Sequence, residues 1–104
     1  MAWLILFAAG VLEVVWAVAL KQSKGLSEPK SLVIAVIAMI LSLGLLAMAL
    51  RTLPLSVGYA VWTGIGVLGA SLVGILCLGE SLNGTKLLAL LLLASGILLM
   101  KISH

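Results

Sequence analysis

Four long apolar runs, separated by short polar segments, account for most of this sequence; they cover residues 3–20, 32–50, 57–78 and 85–101. A helix needs roughly 20 apolar residues to cross the hydrocarbon core of a bilayer. Within lipid, only helices and closed barrels satisfy the hydrogen bonds of the backbone. Because the runs are continuous rather than alternating, they predict an all-α integral membrane protein with four transmembrane helices per chain.

The composition leads to the same conclusion. Of the 104 residues, 64% are apolar and 9% are charged, whereas a soluble domain has about 45–50% apolar and about 25% charged residues. Four spans use about 80 residues, so the loops are short and leave no room here for a soluble catalytic domain. Basic residues lie at the ends of the runs, where they anchor helices, and form no patch for nucleic acid. We expect one multi-pass domain over residues 1–104, in the cell (inner) membrane.

The sequence contains no arrangement typical of an enzyme or a metal site. Phosphate-binding loops, zinc-ligand spacings and nucleophile–base pairs are absent, so we predict neither catalysis nor a cofactor or metal. Cys77 lies inside an apolar run and is interpreted as a small apolar residue. The first run has no basic residue ahead of it and contains a glutamate, so we expect a retained helix and not a cleaved signal peptide.

The basic residues show only a weak bias toward one of the two membrane faces. With four crossings, Arg51 and Lys101 share one face with the amino terminus. The other face carries four lysines, Lys21, Lys24, Lys30 and Lys86. Such residues set the orientation of membrane proteins, and four against two is a weak bias. We therefore hypothesise that the chain inserts in both orientations (dual topology) and that oppositely inserted copies pair.

Glu13 is the acidic residue that falls within an apolar run, since Glu28 and Glu80 fall in loops and are interpreted as solvated charges. It lies about ten residues, or about 15 Å, into the first helix, near the middle of the bilayer. A charge at that depth costs at least about 2.5–3.5 kcal/mol on insertion scales, and such carboxylates usually mark ion or substrate pathways. The alternative is a protonated glutamate that only hydrogen-bonds a neighbouring helix.

The helical neighbours of Glu13 favour a binding pocket. Residues three and four positions away share a face, and here they are Ala9, Gly10, Trp16 and Ala17. Small residues leave space around the carboxyl group, and an indole flanks it. A low dielectric favours the protonated carboxyl group, while the ionised form needs a cation. Proton and cationic substrate therefore compete for one site, which predicts that their movements are coupled in opposite directions.

Three further residues are candidates for this pocket. Ser42 lies at a depth like that of Glu13, and it either positions the Glu13 carboxylate or hydrogen-bonds a helix backbone. Tyr59 and Trp62 are one helical turn apart. Together with Trp16 they would form an aromatic cage for a cation, although Tyr59 alone is also typical of an interfacial anchor.

The third run is rich in glycine, notably Gly64, Gly66 and Gly69. Clustered glycines predict a point of flexing that would open the pocket to one side of the membrane at a time. Close helix packing is the competing interpretation, because glycine lets helix backbones approach each other.

A single four-helix chain is small for a protein that forms a transport pathway, so dimerisation is expected. We assign the leucine-rich fourth helix to dimer contact through its small residues, Ala89, Ala94, Ser95 and Gly96. Trp16 lies beyond the bilayer midplane, whereas Tyr59 and Trp62 lie near the face that holds the amino terminus. The aromatic cage therefore closes best when two copies pair head to tail, which predicts an antiparallel homodimer.

Two motifs resemble those of the small multidrug resistance exporters. One is EVVWA at 13–17 followed by LK at 20–21, and the other is LP at 53–54 followed by GYAVWTGIG at 58–66. The resemblance covers nearly the whole chain. Trp16 and Ser42 resemble the guanidinium-exporter (Gdx) subtype, whereas the quaternary-ammonium exporters of the family typically carry glycine at the position of Trp16.

This resemblance implies proton-coupled export of guanidinium or small substituted guanidinyl cations by an antiparallel homodimer with dual topology. It also implies that the two Glu13 carboxylates form the shared proton and substrate site. Trp16 and Ser42 would hold those carboxylates. The rest of the pocket would consist of Gly10 as its floor and of Tyr59 and Trp62 in its lining.

The first loop departs from the family pattern, which usually has an arginine and a Pro-Ser pair after the glycine that matches Gly25. Here residues 28–32 read EPKSL, which leaves room for an altered substrate range or for a heterodimer with a paralogue. Two alternatives stay open. One is a broad exporter of quaternary ammonium and other hydrophobic cations, and the other is a small interaction or regulatory subunit without transport.

Overall fold

The structure, a computed structural model, describes residues 1–25 and 27–103, which form four helices. Helix α1 spans Ala2–Gln22, α2 spans Pro29–Ala49, α3 spans Leu55–Cys77 and α4 spans Gly84–Ser103. No strand occurs in the described ranges. Each helix has at least 20 residues and is apolar enough to cross a membrane. The prediction of an all-α chain with four membrane-spanning helices is confirmed.

Local sequence signals set several helix ends. At the end of α1, the Ser23 hydroxyl donates to the carbonyl of Leu20 at 2.6 Å. Helix α2 begins at Pro29, three residues before the second apolar run, because proline suits a first turn in which its missing N–H needs no partner. Asn83 caps α4, where its side-chain oxygen accepts the backbone N–H of Lys86 at 2.8 Å.

In the described part of the chain the helices form a row in the order α2, α1, α3, α4. Helix α1 packs along both α2 and α3, α4 packs on α3, and α2 meets α3 only briefly. The overall extents are 40 × 35 × 16 Å. The described part of the chain is therefore a flat slab, much thinner in one direction than in the other two.

The apolar core lies toward the membrane face that carries the amino terminus. Buried side chains from α1, the end of α2 and the start of α3 meet there: Leu6, Ala9, Leu46, Ala49, Leu53, Val57, Val61 and Trp62. Toward the opposite face the buried residues are small, namely Ala19, Ser23, Ala35 and Gly74. The helices therefore approach closely at that end without large side chains between them.

Candidate functional site: the groove around Glu13

Helix α1 lies close to α3 because glycines on α3 make room for side chains of α1. A Cβ atom added at Gly66 would overlap the carboxyl group of Glu13, and one added at Gly69 would overlap a methyl group of Val14. Both glycines are on the face of α3 that meets α1. The Glu13 carboxyl group therefore packs directly against the backbone of α3.

Two more glycines are in close interhelical contact. A Cβ at Gly10 would stand 2.6 Å from Cγ2 of Ile65, and one at Gly64 would stand 2.6 Å from Cδ1 of Ile97 on α4. Helix α3 runs unbroken through its glycines. This geometry supports the interpretation of the α3 glycines as packing residues, and flexing at these positions stays a prediction.

Three buried side-chain atoms have no hydrogen-bond partner in the described part of the chain: Oε1 of Glu13, Nε1 of Trp16 and Oγ1 of Thr63. Leaving such a group unpaired costs about 1–3 kcal/mol. Glu13 and Trp16 share one face of α1, so an unpaired acceptor and an unpaired donor lie side by side. Buried polar groups without a partner inside the chain are suited to a ligand or to a second protein molecule.

Ser42 is fully buried and links three helices. Its hydroxyl donates to the carbonyl of Ala9 in α1 at 2.7 Å and accepts the indole N–H of Trp62 in α3 at 3.0 Å. The hydroxyl proton is therefore directed at the backbone of α1 and not at Glu13. This is the arrangement expected if Ser42 hydrogen-bonds a helix backbone. In an α-helix the Ala9 carbonyl also accepts the N–H of Glu13, so Ser42 fixes the turn that carries the carboxylate. A direct bond from Ser42 to that carboxylate stays a prediction.

Tyr59 and Trp62 form a ring pair, with centroids 5.5 Å apart and ring planes tilted by 44°. Trp62 is buried, whereas Tyr59 is 53% exposed. Helices α1 and α3 run in the same direction, and Glu13 is level with Gly66. Trp16 and Tyr59 are therefore separated by about ten residues, or about 15 Å along the helix axes. A cage of all three rings does not form within one chain and stays a prediction for a pair of chains.

An open cavity of about 410 Å³ lies between α3 and α4. Tyr59 and Thr63 line it on α3, and Gly96 lines it on α4. Thr63 has no signal in the sequence, because its hydroxyl is buried and unpaired only through the rotation of α3 in the fold. The cavity thus has a phenol and an unpaired hydroxyl on the wall opposite the predicted dimer-contact helix.

The predicted dimer-contact residues lie on a helix that, over its described residues 84–103, buries none of them. Ala89, Ser95 and Gly96 are exposed and Ala94 is half-buried. A Cβ added at Gly96 would meet no described atom within 4 Å, and the Ser95 hydroxyl donates to the carbonyl of Leu91 in its own helix at 2.8 Å. Helix α4 therefore offers an apolar surface to lipid or to another chain, and dimer contact stays a prediction.

Comparison with known proteins gives consistent matches. The family model of the Small Multidrug Resistance protein matches residues 1–93. The chain is 52% identical to the guanidinium exporter of Escherichia coli (strain K12), 50% to that of Salmonella typhimurium (strain LT2) and 48% to that of Citrobacter freundii. Each of these alignments covers 99% of this chain and 98% of the relative.

Proposed function

The chain belongs to the Small Multidrug Resistance family, and on this basis we propose that it exports guanidinium or small substituted guanidinyl cations in exchange for protons. It is a multi-pass membrane transporter and not an enzyme, and in bacteria such a protein lies in the inner membrane. The proposal concerns its substrate, its coupling ion and the residues that bind them. The observation that carries it is the buried, unpaired carboxyl oxygen of Glu13.

The chemistry of the groove supports a guanidinium-type substrate. Guanidinium is planar, and its N–H groups pair with a carboxylate in bidentate fashion, so it supplies the donors that the Glu13 oxygen lacks. Its flat faces also stack on aromatic rings, and the indole of Trp16 shares the Glu13 face. A quaternary ammonium ion has no N–H donor, and aromatic rings alone would serve it. The names of the relatives, guanidinium exporter, also favour the planar cation.

Coupling follows from the competition of two ligands for one carboxylate. An ionised carboxylate without a partner is costly in the membrane interior, so Glu13 holds either a proton or the cation. Arrival of a proton releases the cation, and arrival of a cation releases the proton. If each exchange takes place while the groove is open to one side, the two ions move in opposite directions. Flexing of α3 at Gly64, Gly66 and Gly69 is the proposed means of alternating the opening.

We propose an antiparallel homodimer as the transporting unit. The described part of one chain is a slab 16 Å thick, and α4 buries none of its described residues against it. The separation of about 15 Å between Trp16 and Tyr59 along the helix axes shrinks when a second copy is inverted, because its Tyr59 then lies on the same side of the midplane as the first copy's Trp16. Two nearby Glu13 carboxylates would titrate as a coupled pair. A heterodimer with a paralogue would use the same geometry.

Proton flux in liposomes tests the function. Purified protein is reconstituted with a pH-sensitive dye inside the vesicles, and a guanidinium gradient is imposed. We expect the gradient to drive protons the opposite way, and tetraethylammonium to drive far less. Glu13→Gln should abolish the flux, whereas Glu28→Gln, which removes an exposed loop carboxylate, should retain it. Guanidinium-driven proton flux that persists in Glu13→Gln would refute the assignment.

A reporter at the carboxyl terminus tests the arrangement. Dual topology predicts that the reporter scores on both sides of the membrane in similar amounts. A signal from one side only would exclude an antiparallel pair of identical chains. A cross-link that requires two parallel copies would exclude it as well.

A further inference from the structure

The side chain of Glu80 folds back over the end of α3. The Glu80 N–H donates to the carbonyl of Gly74 at 3.0 Å, and a Cβ added at Gly74 would stand 2.5 Å from the Glu80 carboxyl oxygen Oε1 and 2.8 Å from its Cδ. Gly79, with a φ of 73°, allows the chain to reverse just before Glu80. A loop carboxylate is thereby held against the last turns of α3 while it remains in contact with water.

This is an unfavourable place for a negative charge. The carboxyl end of a helix carries a partial negative charge, and cations rather than carboxylates are stabilised there. Glu80 lies in a loop and is exposed, as expected from the sequence, but its carboxyl group also packs against the last turns of α3. Lys21, at the end of α1, lines the same cavity of about 260 Å³ as Glu80. A lysine and the Glu80 carboxylate thus line one cavity, and no ion pair between them is formed in the described part of the chain.

The groove between α1 and α3 has Glu80 in the cavity at its end, and Glu13 lies further along the same pair of helices. Glu13 packs at Gly66 and Glu80 packs at Gly74, eight residues or about 12 Å apart along α3. On α1, positions 13, 17 and 21 share a face. The cavity wall between the two carboxylates includes Ala17 and Ala70, whose side chains are small. Glu13 is near the middle of the bilayer, and Glu80 is at the membrane face of the first and third loops.

We propose that Glu80 is an outer binding residue for the substrate cation at the mouth of this groove. Its carboxylate takes the guanidinium ion from water before the ion reaches Glu13, and the ammonium group of Lys21 competes with the ion for that carboxylate. This inference rests on the proposed function. In an antiparallel pair each membrane face would have one such mouth, so the residue acts on both entry and exit.

Charge-neutral variants of the two loops test the role of Glu80. At low ionic strength, Glu80→Gln should raise the KM for guanidinium about two- to fivefold, the range expected for a partly exposed ion pair, with little change in kcat. Glu28→Gln removes an acid from the same membrane face but outside the cavity, and should match the wild type. Glu80→Asp keeps the charge and should stay within about twofold of the wild-type KM.

Substitution of Lys21 should change the KM for guanidinium in the opposite direction. Lys21→Gln should lower the KM for guanidinium, whereas Lys24→Gln, in the loop that follows α1, should leave it unchanged. All these differences should disappear at about 1 M sodium chloride, where the Debye length is about 3 Å. A residue that only holds α3 in place would instead alter kcat and the melting temperature at every salt concentration.

Two results would overturn the inference. One is a Glu80→Gln protein with the KM of Glu28→Gln at low salt, and the other is a KM change that persists undiminished at high salt. If the wild-type protein exchanges guanidinium for protons, either result refutes only the role of Glu80. Absence of that exchange in the wild type removes the proposed function and this inference together.

Discussion

Gly66 is the position at which a single methyl group tests how the Glu13 carboxyl group is held. In Gly66→Ala the new Cβ atom would overlap the carboxyl oxygen Oε1 and would stand 2.8 Å from Cγ of Glu13. The backbone of α3 has little freedom to retreat from α1, because Gly64 is in close contact with Ile97 on α4. The substitution should therefore displace the Glu13 side chain rather than the helix.

The size of the effect follows from the overlap. Inserting a methyl group into a close-packed site costs about 1–3 kcal/mol, and alanine recovers up to about 1 kcal/mol of helix propensity relative to glycine. The free energy of unfolding should therefore fall by no more than about 2 kcal/mol. Guanidinium binding requires the carboxyl group to occupy its original place. The binding free energy should therefore become less favourable by the full amount of about 1–3 kcal/mol, which is about a five- to 150-fold rise in Kd.

Calorimetric titration of guanidinium into the purified protein measures this Kd, and two matched variants serve as controls. Gly69→Ala introduces a methyl group into the same helix interface, but against Val14 and not against the carboxyl group. Gly44→Ala adds a methyl group that meets no described atom within 4 Å. Both controls should bind guanidinium like the wild type. A Gly66→Ala protein that binds as tightly as Gly44→Ala would show that the carboxyl group is not held against α3.

Three further predictions follow from the packing. Ser42→Ala removes the hydrogen bond to α1 and leaves the indole N–H of the buried Trp62 unpaired, so the free energy of unfolding should fall by about 1–3 kcal/mol. Ser95→Ala, at an exposed position, should change the free energy of unfolding by no more than about 0.5 kcal/mol. Equal losses in the two variants would contradict this role of Ser42. Trp16→Gly should raise the ratio of tetraethylammonium to guanidinium currents on a solid-supported membrane, and an unchanged ratio would remove Trp16 from substrate selection. Gly96→Phe should convert dimers to monomers in single-molecule photobleaching of labelled vesicles, with Leu98→Phe, on the opposite side of α4, as the control that stays dimeric.

Depth in the membrane is readable from this sequence, whereas the rotation of each helix is not. The run lengths predict four spans because a bilayer has a fixed thickness, and counting residues from the start of α1 gives the depth of Glu13. The contact of Gly66 with Glu13, and the bond from Ser42 to Ala9, depend on which faces of the helices meet. Side chains that point to lipid and side chains that point to a neighbouring helix are both apolar here, so the pattern of hydropathy carries little of that information.

The loops also have structural features that the sequence does not predict. Hydropathy places the start of the second span at Leu32, but the helix begins at Pro29, because a polar first turn is stable in the interfacial region where water satisfies its N–H groups. Glu80 looks like any loop acid in the sequence, and its position against Gly74 follows from the reversal of the chain at Gly79. Tertiary contacts of this kind have no local signature.

In the proposed mechanism, a proton and a guanidinium ion bind Glu13 in turn. Proton release on substrate binding tests it most directly: guanidinium is added to lightly buffered purified protein at a series of pH values, and the pH change is recorded. This mechanism predicts that wild-type protein and Glu28→Gln release protons as guanidinium binds, that binding weakens as the pH falls, and that Glu13→Gln shows no release. Guanidinium binding to the wild type without proton release at any pH, or undiminished release from Glu13→Gln, would contradict this mechanism.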